Sequence, residues 1–280
     1  MMKQRPSFPA RLAPLATHSG QSAAAVGQPG VALADSLPMP QRGVTQREVG
    51  QREVGQRGVG QGQAMDSSAL RTNMVKKLAV LGVRDPNVLQ AMGSVERHRF
   101  VDSALVNQAY EDTSLPIGLG QTISKPGVVA RMAELLRNGA RGKLGRVLEI
   151  GTGCGYQAAV LSFLAEEVYS MERLRGLHDR ARDNLRHLRL ANVHLLFGDG
   201  MAGYPKGAPY AAIIAAAGGE AVPQAWIDQL AVGGRLVAPV VPVGGAKGQQ
   251  ALMVIDKTSG GLMQVILEAV HFVPLKSGVA

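Results

Sequence analysis

A glycine-rich turn between an apolar strand and a helix is the feature that most restricts what this chain can fold into. Residues 147–157 read VLEIGTGCGYQ, so three glycines directly follow the predicted strand 146–150 and open a helix. Short apolar runs then alternate with helical patterns along the rest of the chain. We predict further strands at residues 167–171, 193–197, 211–217, 234–240, 251–256 and 262–275.

This alternation predicts an α/β fold with a doubly wound, mostly parallel sheet that carries helices on both faces. Three predicted helices precede the sheet. One is capped by Asp66 or Ser67, one starts at Pro86 and one starts at Pro126. The folded domain is therefore expected to span residues 66–280.

Residues 1–65 differ from the remainder in composition. They hold six prolines and one aromatic residue, Phe8, and residues 44–63 repeat VTQRE, VGQRE, VGQRG and VGQGQ. One valine in every five residues matches neither the helical nor the strand period, so no apolar face forms. We interpret the segment as a disordered low-complexity extension. An arm that binds nucleic acid or a partner, and a targeting segment, are the alternatives.

Charge, cysteine and histidine content narrow the function classes. The net charge is +9, but residues 1–65 carry seven basic and three acidic residues, so the folded part is only mildly basic. No basic and aromatic cluster typical of nucleic-acid binding is present in the sequence, and no apolar run is long enough to span a membrane. Cys154 is the single cysteine, so a cytoplasmic location is expected. The six histidines lack metal-ligand spacing, so we expect no metal.

The glycine turn favours a cationic ligand over a dinucleotide. The dinucleotide fingerprint requires a third glycine where this chain has Tyr156. Glu149, at the end of the preceding strand, would also place negative charge beside a phosphate. S-adenosylmethionine carries a sulfonium and an ammonium group and no phosphate, so it fits this turn better.

Two more carboxylates end the next predicted strands. Glu172 follows the second strand, where a carboxylate can accept both ribose hydroxyls, and Asp199 in FGDG follows the third, where it could accept the adenine amino group. Because the carboxyl ends of parallel strands share one edge, we expect Glu149, Glu172 and Asp199 to face one ligand. A single carboxylate at a strand end is more often a helix cap or a solvated loop residue, but three at successive strand ends beside a glycine turn favour a ligand site.

The loop 115–127, LPIGLGQTISKPG, lies upstream of the turn. Its glycines and prolines oppose a helix, and we expect a flexible loop. Thr122 and Ser124 offer hydroxyl donors that could orient a carboxylate. Ser124 could instead cap the helix that starts at Pro126.

These motifs together resemble the protein-L-isoaspartate O-methyltransferases, a family of class I S-adenosylmethionine-dependent methyltransferases. The resemblance lies in GQTIS at 120–124, EIGTGCGYQ at 149–157, GDG at 198–200, AIIAAA at 212–217 and GGRLVAPV at 233–240, and it covers about residues 66–280. The chain departs from the family pattern at Ala211, where an acidic residue is usual, and at residues 216–219.

The resemblance implies transfer of a methyl group from S-adenosylmethionine to the free α-carboxylate of L-isoaspartyl residues in damaged proteins, whose ester then closes to a succinimide. It implies Ser124 as the active-site serine. The implied pocket and cofactor residues are Gln121, Thr122, Ile123, Glu149, Gly151, Thr152, Gly153, Cys154, Glu172, Asp199, Gly200 and Gln250.

We further expect a monomer without nucleic-acid or membrane partners. Two other hypotheses stay open at this point. One is a class I methyltransferase that acts on a small molecule or RNA. The other is a non-enzymatic module whose basic extension binds nucleic acid.

Overall fold

Helices and strands alternate through most of the chain. The computed structural model describes residues 60–244 and 249–280, with side chains from Ser67 onward. The helices are α1 Gly60–Val80, α2 Pro86–Ser94, α3 Pro126–Arg137, α4 Tyr156–Leu164, α5 Arg175–Arg186 and α6 Gln224–Gln229. The strands are β1 Leu115–Gly118, β2 Gln121–Ile123, β3 Leu144–Ile150, β4 Ala165–Glu172, β5 Val193–Phe197, β6 Tyr210–Ala215, β7 Leu230–Val240, β8 Gln250–Thr258 and β9 Gly261–Val270.

Seven strands form one sheet in the order β5-β4-β3-β6-β7-β8-β9. Strands β3 to β7 run parallel, whereas β8 and β9 are antiparallel to their neighbours. The chain winds outward in one direction from β3 and in the other from β6. The crevice beyond the carboxyl ends of these two strands is where such sheets bind ligands.

Helices cover both faces of the sheet, as predicted. On one face, Met132 of α3 and Leu161 of α4 pack in a cluster with Val147 of β3. On the other face, Trp226 of α6 packs in a cluster with Leu148. Parallel strands buried on both sides in this way require nearly continuous apolar sequence. The structure therefore confirms the predicted α/β architecture.

Of the three helices before the sheet, two start at the residue that the sequence predicts. Asp85 caps α2, because its Oδ1 accepts hydrogen bonds from the backbone N–H groups of Asn87 at 2.8 Å and Val88 at 3.4 Å. Helix α3 starts at Pro126 as predicted. The predicted start of the first helix at Asp66 or Ser67 is wrong, since α1 begins at Gly60. The predicted disorder of residues 1–65 concerns mainly residues 1–59, which lie outside the described residues.

A buried ion pair ties α3 to the start of α2. The Nε of Arg137 lies 2.7 Å from Oδ2 of Asp85, and the exposed fractions of the two side chains are 2% and 10%. The guanidinium also donates to the carbonyl groups of Ala140 and Gly142, so it is well satisfied. Such a pair is costly to break, because one charge is then left buried.

The loop expected at residues 115–127 is more ordered than predicted. Strands β1 and β2 form a small antiparallel hairpin in which Leu115 pairs with Ile123. Leu119 and Gly120 connect them with φ angles of +51° and +69°. Ile117 and Ile123 point into the core, which anchors the hairpin. Among the described residues, no helix has the length and apolar character needed to cross a bilayer.

Candidate active site

A cavity of about 250 Å³ lies at the carboxyl ends of the central strands. Its walls include Gly151 after β3, Glu172 at the end of β4, Gly200 after β5 and Ala216 after β6. We call it the donor cavity. It therefore occupies the crevice that the strand order creates.

The predicted glycine turn forms the floor of the donor cavity. Gly151, Gly153 and Gly155 have φ angles of +91°, +56° and +90°, which side chains of L-residues rarely adopt. The N–H of Gly151 donates to the carbonyl of Met171 at 2.9 Å, so the turn is tied to β4. Thr152 and Cys154 of the turn also line the cavity. The turn thus presents bare backbone to a ligand.

Glu172 links this turn to the start of α5. One carboxylate oxygen accepts from the N–H of Gly153 at 2.8 Å, and the other accepts from Arg173 and Leu174, both at 2.9 Å. The side chain is nearly buried but lines the donor cavity. Each oxygen can accept more than one bond, so the carboxylate stays available to ligand hydroxyls.

Glu149 lies behind the donor cavity and is not among the residues that line it. Its side chain is fully buried, and the hydroxyl of Ser170 donates to its Oε2. The hydroxyl of Thr152 lies 2.7 Å from that of Ser170, which extends the network to the turn. Burial raises the pKa of Glu149 to about 8. Glu149 is thus a buried support of the turn whose surroundings favour the neutral form, and its predicted contact with the ligand as a carboxylate stays a prediction.

Asp199 and Gln250 are likewise not among the residues that line the donor cavity. Asp199 accepts from the N–H of Met201 at 2.9 Å and from the N–H of Gly278 at 2.7 Å. Gln250 is buried, and its Oε1 accepts from the N–H of Phe272 at 2.7 Å. The chain segment that follows β9 therefore bonds to both side chains, and their predicted contacts with the ligand stay predictions.

A second cavity, of about 790 Å³, adjoins the first. We call it the acceptor cavity. It extends along α3 and the end of β9, with walls that include Lys125, Arg131 and His271. The two cavities share four wall residues: Thr122, Ser124, Ala216 and Val273. A ligand in the donor cavity and a ligand in the acceptor cavity would therefore be adjacent at the hydroxyl side chains of Thr122 and Ser124.

The hydroxyls of Thr122 and Ser124 are free for a ligand. Within the described part of the chain, neither makes a hydrogen bond, and Ser124 does not cap α3. The N-cap residue of that helix is Lys125, whose own side chain makes no capping bond. Gln121 and Ile123, also predicted for the site, line the donor cavity.

One continuous segment, residues 268–276, forms a wall of both cavities. Residues 268–273 line the acceptor cavity, and residues 273–276 line the donor cavity. The segment is fixed to the loop after β6, because the N–H of Gly218 donates to Val273 at 2.9 Å and the N–H of Leu275 donates to Gly218 at 2.8 Å. Sequence reasoning identified these residues only as strand, because their contacts are distant along the chain.

Apolar wall residues were also missed by the sequence prediction. Met171, Leu174 and Leu177 line the donor cavity next to Glu172. Their position at the end of β4 and in the segment that follows it was the available signal. Cys154 is buried, and burial raises the pKa of its thiol to about 11, which agrees with a space-filling role for this side chain.

The chemistry of the donor cavity fits S-adenosylmethionine. A carboxylate, a glycine backbone and an apolar wall suit a ligand that combines ribose hydroxyls, cationic groups and a flat adenine ring. The predicted residues that line the cavity are Gln121, Thr122, Ile123, Ser124, Gly151, Thr152, Gly153, Cys154, Glu172 and Gly200.

Known proteins with similar sequences share one name. The family model described as protein-L-isoaspartate(D-aspartate) O-methyltransferase matches residues 69–280. A protein-L-isoaspartate O-methyltransferase of Leptothrix cholodnii is 59% identical over 221 residues, which are 78% of this chain and 77% of that protein. One from Cupriavidus pinatubonensis is 56% identical over 222 residues, covering 76% of this chain and 75% of that protein.

Solved structures agree in fold. A protein-L-isoaspartate O-methyltransferase with 29% sequence identity superposes with a TM-score of 0.66, covering 75% of this chain and 67% of its own. A Plasmodium falciparum protein, crystallised in complex with S-adenosyl-L-homocysteine, has a TM-score of 0.62 at 23% identity and covers 74% of this chain and 98% of its own. From the extent of the family match and the identity of these relatives, the chain belongs to the protein-L-isoaspartate(D-aspartate) O-methyltransferase family.

Proposed function

We propose that this protein transfers a methyl group from S-adenosylmethionine to the free α-carboxylate of L-isoaspartyl residues in damaged proteins and peptides. In the resulting ester, the backbone nitrogen of the neighbouring peptide bond can attack the carbonyl carbon and release methanol, which gives a succinimide that water can reopen as normal aspartate. The observation that carries the proposal is the meeting of the two cavities at Thr122 and Ser124.

The donor cavity is the proposed binding site of S-adenosylmethionine. When bound, this cofactor supplies an electrophilic methyl group on a positively charged sulfur. Glu172 would accept hydrogen bonds from the ribose hydroxyls, and the backbone at Gly151 and Gly153 would let the ligand approach without steric hindrance. Glu149 and Ser170 would hold the turn from behind, as their hydrogen bond supports.

The acceptor needs positioning more than proton transfer. An α-carboxylate has an ordinary pKa of about 3.5, so it is already ionised at neutral pH and requires no general base. Ser124 is the proposed catalytic residue, because its free hydroxyl can donate to one carboxylate oxygen and aim the other at the methyl group. Thr122 offers a second donor on the same wall. Alignment of this kind can lower a barrier substantially.

A pair of synthetic peptides tests the proposal. One contains a single isoaspartyl residue, and its twin contains aspartyl at the same position. We expect methyl incorporation from radiolabelled S-adenosylmethionine into the isoaspartyl peptide only. Equal incorporation into both peptides, or none into either, would refute the proposed substrate.

We propose in addition that the protein is a cytoplasmic monomer without nucleic-acid or membrane partners. The single cysteine agrees with a reducing compartment. Sedimentation velocity of the full chain tests the oligomeric state, and its repetition with added RNA tests for a nucleic-acid partner. Cell fractionation tests the compartment.

A further inference from the structure

The base of the Ser124 loop is held by a carboxylate from another part of the chain. Oδ1 of Asp112 accepts a hydrogen bond from the N–H of Gly127 at 2.6 Å. This N–H belongs to the first turn of α3, where the donor has no partner inside the helix. Asp112 therefore caps α3 from a distance, while the local N-cap residue, Lys125, makes no capping bond with its side chain.

Gly127 is the residue that permits this contact. A Cβ atom at position 127 would lie 2.8 Å from Oδ1 of Asp112, which is closer than Cβ atoms approach in proteins, so the carboxylate would have to move. The backbone of Gly127 does not have a positive φ angle, so the reason for glycine here is space. Asp112 and Gly127 thus form a matched pair on either side of the loop.

The side chain of Asp112 is exposed, but the chain segment on either side of it is held by a buried arginine. Arg97 is fully buried, and its Nε donates to the carbonyl of Ala109 at 2.8 Å and its guanidinium reaches that of Thr113 at 3.4 Å. The guanidinium also lies over the ring of Tyr156, 4.7 Å from its centroid, at the start of α4. The segment that carries Asp112 is therefore fixed to the helix that follows the glycine turn of the donor cavity.

We propose that Asp112 is a positioning residue for methyl transfer, which acts on Ser124 through its hydrogen bond to Gly127. Ser124 lies three residues before Gly127, and Asp112, Ser124 and Gly127 line the same acceptor cavity. The carboxylate also lies 3.8 Å from Nζ of Lys125, the residue that separates Ser124 from α3. The inference rests on the methyl transfer proposed above.

Three substitutions distinguish a hydrogen-bond role from a charge role. Asp112→Ala removes the acceptor, and we expect kcat for the isoaspartyl peptide to fall about 10-fold, because small displacements of a positioned group are costly. Asp112→Asn keeps an acceptor oxygen without the charge, and we expect it to retain at least a third of the wild-type kcat. Glu111→Ala, at the exposed neighbouring carboxylate, is the matched control and should leave kcat unchanged.

Gly127→Ala provides an independent variant in which Asp112 is intact. The new methyl group would force Asp112 away, so we expect a loss of kcat similar to that of Asp112→Ala. The double variant should lose no more than the worse single variant, because both substitutions break the same contact. If kcat of the double variant fell by the product of the two single-variant losses, the proposal would be overturned.

Two further measurements separate positioning from a general structural defect. The dissociation constant of S-adenosylhomocysteine, measured by calorimetry, should stay within twofold of wild type in every variant. Amide hydrogen exchange at residues 124–128 should accelerate in Asp112→Ala and not in Asp112→Asn. This exchange readout does not depend on methyl transfer, so it tests the positioning even if the proposed substrate is wrong.

Three results would overturn the proposal. The first is an Asp112→Ala variant with wild-type kcat and wild-type exchange. The second is an Asp112→Asn variant as impaired as Asp112→Ala, since charge would then be the decisive property. The third is a parallel loss of kcat and of S-adenosylhomocysteine affinity.

Discussion

The buried Glu149 makes a sharp prediction about stability and pH. Its pKa is ordinary, near 4.5, in the unfolded chain and about 8 in the folded protein, because burial disfavours the charged form. A carboxyl group whose pKa is raised by folding stabilises the folded state fully below pH 4.5. This contribution is lost progressively as the pH rises through about 8.

The size of the effect follows from the two pKa values. One pKa unit corresponds to about 1.4 kcal/mol. Ionisation of Glu149 in the unfolded chain therefore lowers the free energy of unfolding by about 1 kcal/mol at pH 5.5 and by about 4 kcal/mol at pH 8, relative to its value at low pH. Glu149→Gln is neutral at every pH and has nearly the same shape. We therefore expect the free energy of unfolding of the variant, relative to wild type, to rise by about 3 kcal/mol between these pH values.

Urea denaturation without ligand, at several pH values, measures this difference. The single tryptophan, Trp226, is buried and reports unfolding by its fluorescence. Any fixed cost of the glutamine amide is the same at each pH and cancels. Glu111→Gln, at an exposed carboxylate, is the control and should give a nearly constant difference. A constant difference for Glu149→Gln as well would show that Glu149 is ionised in the folded protein and would refute the reasoning.

Three other predictions concern the site and the fold. Ser124→Ala should lower kcat for the isoaspartyl peptide by about 10-fold while the dissociation constant of S-adenosylhomocysteine stays unchanged; equal losses in both would contradict its role. Glu172→Ala should weaken S-adenosylhomocysteine binding in calorimetry by roughly 10-fold, through lost charged hydrogen bonds; an unchanged constant would remove Glu172 from the ribose role. Arg137→Met should lower the free energy of unfolding by about 2–3 kcal/mol, because Asp85 keeps its capping bonds but loses its counter-charge in a largely shielded position. The exposed Arg186→Met is its control and should cost less than about 1 kcal/mol in the same denaturation assay.

Much of the fold was predictable because its signals are local. Strand β5 has the predicted bounds, and α2 and α3 start at the predicted prolines. The hairpin β1–β2 was not predicted, because its strands are short and the glycine and proline residues around them are typical of loops. The hairpin is ordered because Ile117 and Ile123 are buried in a core formed by residues from other parts of the chain.

In the candidate site too, residues with a local sequence signal were predictable, whereas residues placed by contacts between distant parts of the chain were not. The glycine turn and Glu172 were predictable because each directly follows a strand. The burial of Glu149 follows from its place in a central strand whose residues 147–150 are buried on both faces of the sheet. The engagement of Asp199 by Gly278 joins residues far apart in the chain, and no local pattern indicates it.

The continuous wall at residues 268–276 gives the two cavities a shared structural element through which binding in one can affect the other. If a peptide seated against residues 268–273 shifts this segment, the change reaches residues 273–276, which line the proposed donor site. By thermodynamic reciprocity, the factor by which peptide alters donor affinity must equal the factor by which donor alters peptide affinity. A substitution in this stretch that alters the coupling must therefore change both factors by the same amount.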